Sequence, residues 1–359
     1  MSDRWIEVFR PALSEDAIQA AVATLRSGWI GSGPRVKEFE EKFCEFVDAE
    51  FCLAVNTGTA ALHLALKALD LPPRSKVITS PISHVATIRA IQYVNCIPVF
   101  ADVDRETGNI SVTSVRRKLD KDTRAIVCTH MGGYPCDLTE LKGEAETYGI
   151  PFVEDCSHAA GSTYGGKRIG NGTLCCFSFS FPKPITGIEG GAITTSNVDY
   201  FKRARKLAEY GRSFDRFDNG ENADNSTPFG YKYSWNDVMA TIALAQLRYV
   251  DEAQKRRKLI AERYLDKLSG EKSVYLPSYN SDRMSSYFFL PLFFEHRDDL
   301  QRKLAVNHVR SKIYFRCYPT KEDVPNARWY DEHELTLPLH LSISDSDIEY
   351  ILSLLKDGW

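Results

Sequence analysis

The sequence predicts an α/β protein in which a mostly parallel, seven-stranded sheet is flanked by helices and followed by a smaller α+β C-terminal domain. Short apolar runs alternate with runs of helical periodicity through the first two thirds of the chain, which is typical of βαβ units. The length of 359 residues is sufficient for two domains. We expect a large domain over residues 1–250 and a small domain over residues 251–359.

Two helices precede the first predicted strand. The first extends to Arg26: Ser14 is its expected N-cap, acidic residues occupy its first turn, and Gly28 follows its end. A loop at residues 29–34 leads into a second amphipathic helix at residues 36–47.

Seven strands and the helices between them come next. The strands are predicted at residues 51–55, 76–80, 97–103, 124–130, 151–155, 174–179 and 191–195, and the helices at residues 59–69, 85–94, 111–119 and 139–148. In parallel sheets of this kind, ligands bind beyond the carboxyl ends of the strands. Four candidate pocket residues follow such ends and are expected to converge there: Asn56, Ser80, His130 and Asp155.

The last part of the chain is predicted to be less regular. Residues 210–236 are predicted as a long polar loop, residues 237–249 as a helix, and residues 253–268 as a charged helix that leads into the small domain. A strand is predicted at residues 285–294 and a final helix at residues 345–355. Tyr314, Arg316 and Tyr318 alternate as in a half-buried strand.

Charge and cysteine usage limit the class of function. The formal net charge of −3 offers no basic surface for nucleic acid or an anionic membrane, and no apolar run approaches the roughly 18 residues of a membrane helix. Nine scattered cysteines, an odd number with no C-x-x-C pair, predict buried free thiols in a reducing cytosol. The polar N-terminus lacks the apolar core of a signal peptide. We therefore expect a cytoplasmic protein without nucleic-acid or membrane partners.

Lys183 lies between two prolines, six residues before a Glu-Gly-Gly turn that begins at Glu189. Lysine is the side chain that holds pyridoxal phosphate as a Schiff base and then transfers protons. The strand at residues 151–155 ends in Glu154 and Asp155, which should point in opposite directions, and a carboxylate there can pair with the pyridine nitrogen. These residues predict a pyridoxal phosphate site. The alternatives are a surface lysine in a turn and an Asp155 that caps a following helix.

Gly58 and Thr59 open the helix after the first strand. A helix N-terminus preceded by glycine presents free amides and the positive end of the helix dipole, which together bind phosphate. Ser178 adds a hydroxyl group. The Asn-Thr-Gly-Thr pattern at residues 56–59 is by itself common in βα turns. No metal site is predicted.

Several motifs occur together, in one order along the chain. They are residues 28–34 (GWIGSGP), 56–66 (NTGTAALHLAL), 154–158 (EDCSH), 177–179 (FSF) with Lys183, 189–191 (EGG) and 230–233 (GYKY). In this combination the chain resembles the DegT/DnrJ/EryC1/StrS family of pyridoxal-phosphate-dependent sugar-nucleotide aminotransferases, over residues 9–247 and more weakly at the C-terminus. The resemblance implies the aspartate-aminotransferase-like, type I PLP-transferase fold, and a homodimer in which the partner chain completes each active site.

The resemblance also implies roles for the motif residues. Lys183 binds the cofactor aldehyde and moves the proton, and Asp155 pairs with the pyridinium nitrogen. His158 contacts the phenolic oxygen, and His84 stacks on the pyridine ring. The alternatives are a satisfied core histidine for His158 and a solvent-facing loop histidine for His84. The phosphate group is expected to be held by Gly58, Thr59 and Ser178.

Lys232 stands where the family more often has asparagine, in a segment that reaches the neighbouring subunit's cofactor phosphate. A lysine there can act as a point charge, and the alternative is a solvated loop lysine. Ser234 replaces a planar arginine or asparagine of the family pattern. Four further residues are candidates for substrate contact: Trp29, Ser32, Tyr314 and Arg316.

The predicted function is transfer of the amino group of L-glutamate to a nucleotide-linked 3-keto or 4-keto-6-deoxyhexose, for O-antigen, glycan or antibiotic biosynthesis. The family's dehydratase branch carries histidine where this chain has Lys183, so the lysine favours transamination. The alternatives are a keto-cyclitol aminotransferase and a non-catalytic regulatory protein that binds pyridoxal phosphate. An NAD-type enzyme is disfavoured, because no G-x-G-x-x-G follows the first strand.

Overall fold

The structure, a computed structural model, describes residues 4–212 and 229–356. Its helices are α1 (Glu15–Ser27), α2 (Pro34–Val47), α3 (Gly58–Ala68), α4 (Val85–Tyr93), α5 (Val112–Lys118), α6 (Leu138–Thr147), α7 (Val198–Ala208), α8 (Asp237–Leu247), α9 (Val250–Leu268), α10 (Arg297–Val306), α11 (Pro325–His333) and α12 (Asp345–Lys356). Its strands are β1 (Phe51–Val55), β2 (Lys76–Thr79), β3 (Ile97–Phe100), β4 (Thr123–Thr129), β5 (Phe152–Asp155), β6 (Thr163–Tyr164), β7 (Lys167–Arg168), β8 (Cys175–Ser178), β9 (Gly191–Thr195), β10 (Val274–Tyr275), β11 (Arg283–Met284), β12 (Pro291–Phe294) and β13 (Glu334–Thr336). No helix within these ranges has the length and apolar character that crossing a membrane requires.

Seven strands form the main sheet in the order β1-β9-β8-β5-β4-β2-β3. Neighbours from β8 to β3 are parallel, whereas β9 is antiparallel to both β1 and β8. The carboxyl ends of the six strands other than β9 therefore share one edge of the sheet. This arrangement confirms the predicted α/β fold with a mostly parallel, seven-stranded sheet.

Successive residues of the central strands enter two different cores, because side chains alternate across a sheet. Val77 and Val127 pack with α3, α4 and α7 on one face. Ile78 and Ile126 pack with α2, α5, α6 and α8 on the other face. Both faces are covered by helices, which explains why the strands are apolar throughout.

A third core joins the C-terminal elements. Within it, β12 pairs antiparallel with β10 and with β13, and residues of α9, α10 and α12 pack on this small sheet. The helix α9 spans both regions: Val250 belongs to the core of the main sheet, and Ile260 belongs to the C-terminal core. The predicted charged helix thus connects the two packed regions.

The predicted strand at residues 285–294 is wrong for its first half. Only Pro291–Phe294 is a strand, as β12. The amides of Ser286 and Phe288 donate instead to the carbonyls of Gly133 and Gly132, in the loop after β4. Tyr287 between them has a φ of 50°, which an extended strand does not permit.

The predicted half-buried strand with Tyr314, Arg316 and Tyr318 is also wrong. The only β pairing described there is a single bridge between Lys312 and Thr336. Phe315 has a φ of 68°, in the left-handed region, and this conformation interrupts any extended run.

The sequence-based expectations did not include three helices, α7, α10 and α11, or five short strands, β6, β7, β10, β11 and β13. Of these strands, β6 and β7 form a hairpin that pairs with β11. The signal for α7 was present, because Asn197 accepts hydrogen bonds from the amides of Asp199 and Tyr200 as an N-cap. In the predicted loop at residues 210–236, residues 213–228 lie outside the described residues. Tyr231 and Tyr233 of this segment pack against the main-sheet core.

Candidate active site

A cavity of about 350 Å³ opens at the carboxyl edge of the main sheet, beyond the end of β5. Its walls come from the N-terminal ends of α3 and α4, the turn after β8, and the segment at residues 312–315. Six of the residues predicted to bind the cofactor line it: Gly58, Thr59, His84, Asp155, Ser178 and Lys183. The topology therefore brings together residues that are spread over more than a third of the chain.

Lys183 lies in the turn after β8, where its amide donates to the carbonyl of Ser180 at 3.0 Å. The side chain as a whole is half-buried, but its amine is enclosed, with Nζ 4.4 Å from the centre of the Phe288 ring. Loss of solvent lowers the pKa of this amine to about 8, against the opposing effect of the Asp155 carboxylate. A neutral amine, the form that acts as a nucleophile or base, is therefore accessible near neutral pH.

Asp155 ends β5, and its carboxylate is held at both oxygens. The hydroxyl of Thr87 donates to Oδ2 at 2.6 Å, and the amide of Ser157 donates to Oδ1 at 3.1 Å. The residue is buried and lines the cavity. No α-helix begins directly after it, so the alternative in which Asp155 caps a helix is wrong.

Glu154 points to the opposite face of the sheet, as its position in the strand predicts. Its Oε2 lies 3.2 Å from Nε2 of His130, and its Oε1 lies 2.9 Å from Nζ of Lys142. The amide of Cys136 donates to Nδ1 of His130 at 3.1 Å, so the ring proton belongs on Nε2 and is donated to Glu154.

The predicted convergence of four residues at the strand ends is therefore only partly correct. Asp155 lines the cavity, whereas Asn56, Ser80 and His130 do not. His130 is held in the core by Glu154, and the hydroxyl of Ser80 bonds locally to the backbone of Ile82. A position after a strand end places a residue at the right edge, but its side chain turns toward the cavity only when the local backbone directs it there.

The N-terminus of α3 forms an anion cradle at the cavity. Thr57 is its N-cap and accepts from the amide of Ala60 through its hydroxyl oxygen, while the amides of the first turn have no partner within the helix. Gly58 lies so close to Ser178 that a Cβ at position 58 would be 2.7 Å from the Cβ of Ser178. The hydroxyl of Ser178 is thus held beside the positive end of the helix dipole.

His158 is fully buried between two aromatic rings. Its ring stacks on Phe288, with centroids 4.8 Å apart, and on Phe315, with centroids 5.4 Å apart. Neither ring nitrogen has a hydrogen-bond partner among the described residues, and burial lowers the pKa of the imidazole well below its ordinary value. Buried polar atoms without partners are rare in native structures, so the nitrogens fit a polar atom of a ligand.

His84 is at the rim of the cavity and is exposed. Its Nδ1 caps α4 by accepting from the amide of Ala86 at 3.2 Å, and its ring meets the edge of Phe315 at 5.8 Å. Partial burial, together with the nearby charge of Lys183, lowers its pKa. Stacking of this ring on a cofactor remains a prediction.

Of five further predicted residues, one lines the cavity and four do not. Tyr314 lines it and is buried. Arg316 does not line it and forms an ion pair with Asp331 at 2.9 Å. The side chain of Lys232 is 58% exposed and lies 3.7 Å from the Glu209 carboxylate. The loop residues Trp29 and Ser32 are likewise outside the lining of this cavity.

Among the lining residues that sequence reasoning missed, Thr87, Ser157, Lys312 and Phe315 contribute to the site. Thr87 and Ser157 matter because they orient Asp155, and only Ser157 had a signal, its place in the 154–158 motif. Lys312 offers a cation in an aromatic segment, with Nζ 4.8 Å from the centre of the Tyr314 ring. The left-handed backbone of Phe315, which the residue type does not predict, turns its ring onto His158.

The donor set fits pyridoxal phosphate. The α3 cradle with Ser178 suits a phosphate group, and the Asp155 carboxylate suits a protonated pyridine nitrogen. The Lys183 amine suits an aldehyde carbon, and the unpartnered nitrogens of His158 suit the phenolic oxygen. The residues matched to the phosphate, the pyridine nitrogen and the aldehyde all line the cavity. His158 does not line it and lies behind Phe315, a lining residue on which its ring stacks.

Comparison with known proteins agrees with this cofactor and with the fold described above. The profile of the DegT/DnrJ/EryC1/StrS aminotransferase family matches residues 11–356. The chain is 33% identical to the spore coat polysaccharide biosynthesis protein SpsC of Bacillus subtilis (strain 168), over 97% of this chain and 95% of SpsC.

Two solved structures are closely similar. The aminotransferase TlmJ from Streptoalloteichus hindustanus has a TM-score of 0.92 and 33% identity, covering 98% of this chain and 97% of TlmJ. The sugar aminotransferase Spr1654 from Streptococcus pneumoniae, in its PLP form, has a TM-score of 0.90 and 27% identity, covering 98% of each chain. The fold is that of the PLP-transferase aminotransferases, and the cofactor is pyridoxal phosphate. From its profile match and its relatives, this chain belongs to the DegT/DnrJ/EryC1/StrS aminotransferase family.

Proposed function

We propose that this chain transfers the amino group of L-glutamate to the carbonyl carbon of a nucleotide-linked 3-keto or 4-keto-6-deoxyhexose. The observation that carries this proposal is the enclosed amine of Lys183, which stands opposite Asp155 and has a pKa lowered to about 8 by burial. A catalytic lysine of an aminotransferase must be neutral to act on a carbon-bound proton, and this environment favours that form.

Lys183 is the proton carrier of the proposed reaction. When bound, pyridoxal phosphate supplies an electrophilic carbon and an electron sink. The Nζ of Lys183 takes the proton from the α-carbon of the donor and later returns a proton to the sugar carbon that receives the amino group. The prolines on both sides of Lys183 and the bond from its amide to Ser180 hold the turn in place, so the amine keeps its position relative to Asp155.

Asp155, Thr87 and the α3 cradle position the cofactor in this proposal. The Asp155 carboxylate, fixed by Thr87 and Ser157, holds a positive charge on the pyridine nitrogen. The α3 amides and Ser178 hold the phosphate group. His158 donates to or accepts from the phenolic oxygen, because its ring is fixed by the two aromatic neighbours and has no other partner among the described residues.

The proposed acceptor is a sugar because the family and the relatives point to carbohydrate chemistry. SpsC is named for polysaccharide biosynthesis, and Spr1654 is described as a sugar aminotransferase. The proposal goes further than these names in three details: the nucleotide linkage, the donor L-glutamate and the position of the keto group.

We further propose a homodimer in which Lys232 serves the partner's site. Trp29, Phe181, Ile188 and Phe229 expose 57%, 50%, 50% and 56% of their surfaces, and Phe181 and Ile188 flank the turn of Lys183. Exposed large apolar side chains beside a site, such as Phe181 and Ile188, are typical of interaction surfaces when they form a contiguous patch. The exposed Lys232 is free to reach a neighbouring chain, since its Glu209 contact is long.

The proposed location is the cytoplasm. All nine cysteines are free thiols in the structure, and seven of them are buried. Free thiols in this number are typical of proteins from a reducing compartment.

The mechanism is tested by replacing Lys183 with alanine. Lys183→Ala is expected to lose the visible-edge absorbance band of the bound cofactor and all turnover, whereas the exposed Lys121→Ala, a control on the same chain, keeps both. Circular dichroism establishes that the variant is folded. Turnover retained by folded Lys183→Ala would rule out the proposed role.

The substrates are tested separately. L-glutamate is expected to shift the absorbance band of the wild-type protein, with release of one 2-oxoglutarate per site. The protein in its amine form is then mixed with a panel of nucleotide-linked 3-keto and 4-keto sugars and with a keto-cyclitol. Recovery of the original band identifies the acceptor, and recovery with the cyclitol alone would contradict the sugar-nucleotide proposal.

A further inference from the structure

A second cavity, of about 240 Å³, lies on the other side of Lys183. It is enclosed by the N-terminal segment at residues 9–14, the turn at residues 182–186, the adjoining parts of α8 and α9, and the segment at residues 339–341. Pro182 and Lys183 line this cavity as well as the one that contains Asp155. The catalytic lysine therefore forms the boundary between two chambers.

Arg257 is the unusual residue of this second cavity. It lies on α9 with only 9% of its surface exposed. Its Nη1 has no hydrogen-bond partner within residues 4–212 and 229–356, and no carboxylate of these residues is recorded in an ion pair with its guanidinium. Burial alone lowers its pKa to about 10, and no anion among the described residues opposes this effect. A buried charge is strongly unfavourable unless it is paired, so this guanidinium points to an anion from outside the polypeptide.

The other residues that line the second cavity also favour an anionic ligand. Arg10 contributes a second guanidinium from the N-terminal segment. His340 donates through Nε2 to the carbonyl of Glu7, and its buried Nδ1 has no partner in the part of the chain that the structure describes. No aspartate or glutamate lines the described wall of the cavity. Two arginines without a balancing acid give the chamber a positive potential.

We propose that this second cavity is the anion-recognition subsite of the amino-transfer reaction, in which Arg257, assisted by Arg10, binds a carboxylate or phosphate group of the substrate while the reacting carbon lies at Lys183. The inference rests on the proposed function, because it assigns the anion to one of that reaction's substrates. The planar guanidinium matches both anions, since it donates two parallel hydrogen bonds to a pair of oxygens.

Two substrates are sources of such an anion. One is the amino donor, whose carboxylate would be held by Arg257 with its α-carbon beside Lys183. The other is the nucleotide-linked sugar, whose diphosphate would lie in the chamber with the keto carbon beside Lys183. Both use the same donor chemistry, and binding measurements distinguish them.

The first experiment measures anion binding directly on the pyridoxal-phosphate-loaded protein. In this form the α3 cradle is occupied by the cofactor phosphate and does not compete. Glutarate and inorganic pyrophosphate are titrated in a phosphate-free buffer, and the thermal midpoint is recorded. At least one probe is expected to raise the midpoint of the wild type by about 2 °C or more. Arg257→Met and Arg10→Met are expected to lose that rise.

Arg256→Gln is the matched control, because Arg256 is the adjacent residue of α9 but pairs at the surface with Asp345. It is expected to respond to the probes as the wild type does. Arg257→Met is also expected to have a higher midpoint than the wild type when no probe is present, since it removes an unpaired buried charge. If Arg257 served only to stabilise the fold, Arg257→Met would have a lower thermal midpoint than the wild type.

The second experiment separates the two sources. The KM of two variants is measured for each substrate. Arg257→Lys keeps the positive charge but loses the two parallel donors of the guanidinium, and Arg10→Met loses the charge. In both variants we expect the KM for one substrate to rise at least about tenfold, as for a lost charge-assisted hydrogen bond. A rise for L-glutamate assigns the carboxylate, and a rise for the nucleotide-linked sugar assigns the phosphate. If neither KM changes, or if the probe-dependent midpoint rise persists in Arg257→Met or is absent from the wild type, the subsite is refuted. A protein that binds the probes at Arg257 but transfers no amino group refutes the proposed function and not the anion site.

Discussion

The amine of Lys183 titrates near neutral pH because enclosure beside Phe288 removes more solvation than the Asp155 carboxylate offsets. Only the neutral amine attacks an aldehyde. The rate at which cofactor-free protein recombines with pyridoxal phosphate should therefore follow the fraction of neutral lysine.

We expect the recombination rate to rise about tenfold per pH unit below pH 8 and to level off above it, since protonation below the pKa removes the nucleophile. Absorbance after rapid mixing at pH 6 to 9 measures this profile. A rate that still rises about tenfold per pH unit at pH 9, as for a lysine with the ordinary pKa of 10.5, would contradict the enclosed amine. Denaturation midpoints across the same range control for loss of fold.

Residue identity alone predicted three residues that the structure brings to one cavity and to which we assign the chemistry. Lys183, Asp155 and Ser178 were identified from local motifs, because their chemistry requires specific residue types. Thr87 and Lys312 were not, because threonine and lysine are common on surfaces, and only the packing brings them to the cavity. Arg257 belongs to the same class, since an arginine on a charged helix gives no sign that it is buried.

At the scale of elements, the start of α3 depends on the absence of a side chain at position 58. Gly58→Ala would place a Cβ 2.7 Å from the Cβ of Ser178, and the helix start or the Ser178 strand must shift to relieve this contact. We expect the dissociation constant for pyridoxal phosphate to rise by about tenfold, which corresponds to about 1.4 kcal/mol. Equilibrium dialysis of the cofactor measures it.

Gly143→Ala in α6 is the matched control for this change. A Cβ at position 143 would meet no atom within 4 Å. Cofactor affinity should be unchanged, and stability should rise by about 0.5–1 kcal/mol because alanine is the better helix former. Equal losses of affinity in both variants would mean that the cradle does not depend on the contact between Gly58 and Ser178.

A second element-scale feature fixes the loop at residues 29–34. The buried carboxylate of Asp237, at the start of α8, accepts from the amides of Gly33, Arg35 and Val36 at 2.8, 3.1 and 3.1 Å. It therefore caps α2 from more than two hundred residues away, and its own amide donates to the carbonyl of Gly31 at 2.8 Å.

Asp237→Ala is expected to lower the free energy of unfolding by about 3 kcal/mol, because it leaves two buried amides and one part-buried amide without their charged acceptor. Urea denaturation measures the change. Asp251→Ala is the control: its carboxylate pairs with Arg168 at the surface, and its loss should cost less than about 1 kcal/mol. Equal effects of the two changes would show that the cap contributes little.

At the scale of the whole molecule, the proposed dimer makes a distinct prediction. If Lys232 serves the partner's site, Lys183→Ala and Lys232→Ala damage different halves of each active site. After the two variants are mixed and their subunits exchange, half of the dimers are mixed, and one site in each mixed dimer is intact. About a quarter of wild-type activity should return.

Activity at limiting cofactor measures this complementation, and exchange of differently tagged chains verifies that mixed dimers form. Each variant alone, put through the same procedure, is the control. No recovery in a sample with proven exchange would place Lys232 at its own chain's site or at none. A monomer in sedimentation would contradict the dimer itself.

The two cavities on either side of Lys183 also depend on the folding of the whole molecule. The first is built from the main-sheet edge, and the second is built from segments that are remote in sequence: residues 9–14, the α8–α9 region and residues 339–341. We retain the proposal of a boundary near residue 250, where α9 passes from the main-sheet core to the C-terminal core.

The sequence by itself determined the fold class, most helices and main-sheet strands, and the cofactor, and it predicted the residues that we propose to hold that cofactor. These follow from local periodicity and from residue types that the chemistry requires. Only the tertiary structure decided that His130 serves the core and that residues 285–290 and 314–318 are not strands. It also decided that Arg257 is buried, with no partner for its Nη1 among the described residues. The physical reason is that side-chain direction, burial and charge pairing are set by contacts between distant segments, which leave no local pattern in the chain.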